Sequence, residues 1–86
     1  MDELLKAVQE KGENISETAK ILSHWNKGTG IKKSAVILGF FSLEANKKII
    51  QSFSSEEKIN LSQELANMPF YNKPTIEAIL KDFLKN

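Results

Sequence analysis

The sequence predicts an all-α domain of about six short helices. Three observations carry that expectation. Apolar residues recur at helical rather than alternating spacing in every segment of the 86-residue chain. Gly12, the Gly28-Thr29-Gly30 turn, Pro69 and Pro74 punctuate the segments as helix breakers. Ser54 followed three residues later by Glu57 has the form of a capping box, in which each side chain satisfies a backbone N–H of the other residue.

Each element follows from its own residues. Asp2 to Lys11 opens with acids where the helix dipole favours them, buries Leu4, Leu5 and Val8, and stops at Gly12. Ser16 to Asn26 is capped by Asn14 or Ser16 and aligns Ala19, Leu22 and Trp25 on one face. Ile31 to Phe41 is apolar all round, which marks the buried central helix. A strand is the competing reading there, but no partner strand is evident elsewhere. Ser42 caps a helix over Leu43 to Phe53, carrying Ile49, Ile50 and Phe53. The capping box starts the next helix, which runs to about Asn67 with Leu61, Leu65 and Met68 inward, and Pro69 ends it. Pro74 suits the first position of the last helix, with Lys73 or Asn72 at the cap and Ile76, Ile79, Leu80 and Phe83 inward.

The glycine turn divides the chain into a helical hairpin, 1–30, and a compact unit, 31–86. A domain of this size buries only about 60% of its unfolded surface, so its core is thin and a partner is plausible. The 41% apolar and 27% charged residues place it among folded chains, not disordered ones.

Composition excludes several classes of function. With no cysteine there is neither a disulfide framework nor a thiolate metal site. The start, Met1-Asp2-Glu3-Leu4-Leu5, is acidic and lacks the apolar core of a secretory signal, and no run approaches the roughly 18 apolar residues of a membrane span, so a cytoplasmic location is expected. The net charge is +1, and all twelve basic residues are Lys. Arginine, favoured for bidentate reading of phosphate and guanine, is missing, which argues against nucleic acid.

No reactive constellation is present. His24 is the only histidine and has no second ligand of its kind to complete a metal site. Glu56 and Glu57 are explained by capping, and Lys33-Ser34 lacks the glycine spacing of a phosphate loop. Neither catalytic residues, cofactor nor metal is therefore expected. What remains is apolar surface: Phe40, Phe41, Phe53, Phe70, Tyr71 and Phe83 exceed what so small a unit can enclose, so part of this set should face a groove that takes an amphipathic helix.

The ordered set Lys33-Ser34-Ala35-Val36-Ile37-Leu38, Ala45-Asn46-Lys47-Lys48-Ile49-Ile50, Phe53-Ser54-Ser55-Glu56-Glu57, Leu61-Ser62, Leu65-Ala66-Asn67-Met68 and Ile76, Ile79, Leu80, Phe83 resembles the N-terminal domain of FliG, the flagellar motor switch protein. The resemblance implies an armadillo-like helical array, with residues 1–30 as an extra hairpin. It implies a non-enzymatic rotor part at the inner face of the cell membrane that grips the helical C-terminal tail of the MS-ring protein FliF and associates with neighbouring copies of itself in the switch, or C, ring. The tail-binding role would fall on Ile37, Leu38, Phe41, Ile49, Ile50, Phe53 and Leu65. Three departures stand out: Ser42 replaces a usual Gly, Lys58 replaces a usual apolar residue with Ile59 apolar instead, and the hairpin has no clear counterpart. The family's middle and C-terminal domains are absent, so these residues do not themselves transmit torque.

Two rival readings remain. The regulatory domain of MgtE-type magnesium transporters resembles the same fold but is expected to use acidic clusters, whereas the acids here are scattered. A helix-turn-helix DNA reader would place Lys32, Lys33, Lys47 and Lys48 on phosphates. The hairpin itself has two readings, a cover over the groove or a further layer of core.

Overall fold

The computed structural model describes residues 2–86, leaving Met1 outside the described residues. Among those residues are six α-helices and no strand: α1 (Asp2–Gly12), α2 (Ile15–Asn26), α3 (Ile31–Leu38), α4 (Leu43–Gln51), α5 (Ser55–Ala66) and α6 (Lys73–Lys85).

Local chemistry fixes most of the helix starts. The side chains of Asn14, Ser42, Ser54 and Asn72 accept hydrogen bonds from the backbone N–H groups of Glu17, Ala45, Glu57 and Thr75. Each satisfies a donor that the first helical turn leaves free. The alternatives left open by the sequence thus resolve to Asn14 for α2 and Asn72 for α6. The cap at Ser54 forms as expected, but the Glu57 carboxylate turns across to α2, where Ser23 Oγ and Asn26 Nδ2 donate to it.

Two helices are shorter than their apolar runs suggest. α3 ends at Leu38: Gly39 stays right-handed, its N–H bonded to Ala35 O and Val36 O, and Phe40 and Phe41 follow in tight turns on Ile37 O and Leu38 O. α4 ends at Gln51, and Ser52 Oγ donates to Ile49 O at 2.6 Å. In both places the run continues into a turn because burial, and not helix propensity, selects the apolar residues that close the core.

α3 lies at the centre, packed by α2, α5 and α6, while α1 lies along α6 and α4 against α2. The core gathers Val8, Ala19 and Leu22 from the hairpin with Ala35, Val36, Ile37 and Leu38 from α3, and Ile49, Phe53, Leu61, Ile79, Leu80 and Phe83 from the remainder. The hairpin is therefore a docked layer that contributes to this core. Phe83, fully enclosed, sits at the junction: Trp25 meets its ring edge-on at 6.3 Å, Phe41 lies at 5.9 Å, and Lys11 Nζ stands 5.1 Å from its centroid.

Candidate functional site

Pro69 disfavours helical geometry in the residue before it, and α6 opens at Lys73 with Pro74 in its first turn, so residues 67–72 cross from α5 to α6 without helical structure. Met68, Pro69, Phe70 and Tyr71 cannot all turn inward from such a connection. They form one wall of a groove whose floor is Ala35, Val36, Gly39 and Phe40 of α3 and its turn, with Leu65 and Ile76 from α5 and α6. The groove has a volume of about 340 Å³ and is bordered almost wholly by carbon. Phe70 is 95% exposed and Leu65 45% exposed, although both are large apolar side chains.

The seven residues expected to bind a partner are divided by the fold. Leu65 alone borders this groove. Ile37, Leu38, Ile49 and Phe53 are enclosed in the chain's own core, and Phe41 and Ile50 are half-buried beside it. As the chain stands, Ile37 and Ile49 offer no surface to a partner, since nothing of either reaches solvent. The hairpin is part of the reason: α2 packs on both α3 and α4, alongside α5 and α6 on α3, and the Phe41 ring lies directly against Gly12 at the end of α1.

Sequence reasoning left Phe70 and Tyr71 among six aromatics of which part should face a groove, and it missed Met68 and Ile76, which it placed inward, as groove residues. The signal was present in the two prolines, because an apolar run between them lies on no helix face. The departure at Lys58 has no inward counterpart: Lys58 and Ile59 both point outward, Ile59 being 59% exposed.

Charge is sparse around these surfaces. Lys33 Nζ bonds Asp82 Oδ2 at 2.8 Å and stands 5.7 Å from the Trp25 ring centre, tying α3, α6 and α2 together. That hydrogen bond and the lysine's charge hold the Asp82 carboxyl below its ordinary value. At Glu57, partial burial pushes the carboxyl up, but hydrogen bonds from Asn26, Ser23 and Ser54 together outweigh it and leave it lowered. These contacts join helices and build no catalytic pair. No three His, Cys, Asp or Glu side chains come together as a metal site among the described residues, and exposed His24 borders a shallow cleft with lysines and serines.

With six helices and no strand among the described residues, the chain has the all-α, multi-helix architecture that the family resemblance implies. No curated protein and no solved structure matched it. The FliG N-terminal domain family does match, over residues 27–86, more than two thirds of the sequence and all of it from the glycine turn onward. The chain thus belongs to the FliG N-terminal domain family, whose members are components of the flagellar motor switch.

Proposed function

We propose that this chain is a non-enzymatic rotor anchor that holds the helical C-terminal tail of FliF through apolar contacts at the cytoplasmic face of the membrane, and that neighbouring copies stand side by side in the switch ring. Residues 31–86 are the binding domain in this reading and 1–30 its extension. The observation that carries it is the open groove between α3, α5 and α6, with Leu65 on its border and Phe70 protruding. An apolar helix stripe seated there would remove both side chains from water, and full burial of one such residue is worth about 1.5–3 kcal/mol. Leu65 meets the tail directly. Ile37, Leu38, Phe41, Ile49, Ile50 and Phe53 meet it only where the hairpin gives way.

Titration of a FliF tail peptide tests the proposal. Binding should change less than about threefold between about 50 and 500 mM salt, because buried carbon is not screened. Leu65→Asp should weaken it by about tenfold or more, equivalent to about 1.4 kcal/mol. Ile59→Asp, at a position on α5 that is also exposed but lies away from the groove, should leave it unchanged. Absence of binding, or binding that collapses with salt, would overturn the proposal.

A further inference from the structure

We infer that the α1–α2 hairpin is a detachable cover over the apolar face formed by α3, α4 and α6, and that it competes with the FliF tail for that face; the competition rests on the function proposed above. The hairpin lies outside the stretch that matches the family and joins it through Lys27-Gly28-Thr29-Gly30.

What the hairpin covers is the hidden part of the expected binding surface. α4 packs chiefly on α2, so the fully buried Ile49 owes its enclosure largely to the hairpin. The Phe41 ring lies against Gly12, and Trp25 and Lys11 lie against the Phe83 ring. The face therefore already accepts amphipathic helices, and its present occupant offers Val8, Ala19, Leu22 and Trp25. A tail of the same chemistry would meet the same side chains.

The remaining packing shows what would survive undocking. α3 contacts α5 and α6 independently of the hairpin, leaving a three-helix centre around Leu61, Ile79 and Leu80. α4 would lose its main neighbour and gain one again only from an incoming helix. Apart from this apolar contact, the latches are few: Gln9 Nε2 to Phe40 O, Lys11 Nζ to Phe83 O and Leu84 O, Ser34 Oγ to Leu22 O, Ser23 and Asn26 to Glu57, and the Lys33 ammonium near the Trp25 ring. Asn26 Oδ1, beside the connecting turn, is buried with no hydrogen-bond partner, a cost that undocking into water removes. The turn has no positive φ, and Gly28 has open space around it; its one tight contact is Gly30 against Trp25. Such a segment can open below the level of global unfolding.

A crosslink in the full chain tests the inference. Cysteine is absent, so Glu13→Cys with Lys48→Cys introduces two unique thiols, both on the cleft where the hairpin tip meets α4. A short bis-maleimide locks the cover, and the same double variant capped with a mono-maleimide leaves it free. The locked form should bind the FliF tail peptide at least about tenfold more weakly, since a site closed most of the time loses apparent affinity in proportion to its open fraction. Equal, measurable binding by both forms would overturn the inference and leave the proposed function standing. Binding by neither would overturn the proposed function and, with it, the competition. Hydrogen exchange on the unmodified chain checks the cover separately. Amides of α1, α2 and α4 should exchange by a common opening faster than those of α3 and α6; exchange of all helices at one global rate would overturn detachability.

Discussion

Gly12 occupies a helical position where alanine would ordinarily be favoured by about 1 kcal/mol. Here a Cβ would meet the Phe41 ring at 2.5–2.9 Å, closer than carbon atoms approach, so the ring must move to admit it. That ring also packs on Phe83, which limits where it can go. Gly12→Ala is therefore expected to destabilise the chain by about 1–3 kcal/mol despite the better helix former. Gly12→Ala with Phe41→Leu should recover part of that loss, measured by chemical denaturation; a stabilised single variant would show that Phe41 yields freely. Phe70 presents the opposite case. Its side chain is almost wholly in solvent, so Phe70→Ser should change stability by less than about 0.5 kcal/mol while weakening capture of the tail. Equal effects on folding and binding would place Phe70 in the core.

At the scale of elements, what was legible in the sequence is what local chemistry determines. The cap at Ser54 and the proline in the first turn of α6 each depend on residues within one turn; α5 begins where its cap says, and α6 begins at Lys73, one residue before Pro74, behind the Asn72 cap. Helix ends within apolar runs were less legible, because Phe40, Phe41 and Phe53 are placed by distant partners and their own propensities are silent on the matter. The candidate site was the least legible part. Whether Ile49 faces a partner or a core depends on where α2 lies, and no local pattern encodes the docking of one helix on another. The same dependence makes α4 the helix most sensitive to the hairpin. Ala19, 7% exposed on α2, can be replaced by Asp only with a charge forced into that joint. Ala19→Asp should accelerate hydrogen exchange in α4 more than in α6, and uniform acceleration across the chain would show that α4 has support beyond α2.

For the molecule as a whole, the radius of gyration of 11.9 Å equals the value of about 12 Å expected for a single closed domain of this length, consistent with a hairpin that rests docked on the unit. Two depressed carboxyls hold separate parts of that arrangement. Glu57 on α5 accepts hydrogen bonds from α2, and Asp82 on α6 pairs with Lys33 on α3. A carboxyl whose folded value lies below its unfolded one contributes stability that is present above the unfolded value and is lost as pH falls through the folded one. The ordinary values are 4.5 for Glu and 3.8 for Asp, so the thermal midpoint should be level near neutrality and begin to fall as the pH drops past about 4.5. Glu57→Gln and Asp82→Asn should each lower the midpoint at neutral pH and flatten its acid limb, because the titrating group is gone. Since Glu57 spans the joint between hairpin and unit, Glu57→Gln should also strengthen tail capture by loosening the cover, whereas Asp82→Asn, whose ion pair lies within the unit, should not. Melting curves and tail titrations over the same pH series check both effects, and an acid limb in Glu57→Gln as steep as in the parent chain would remove the Glu57 contacts as its source.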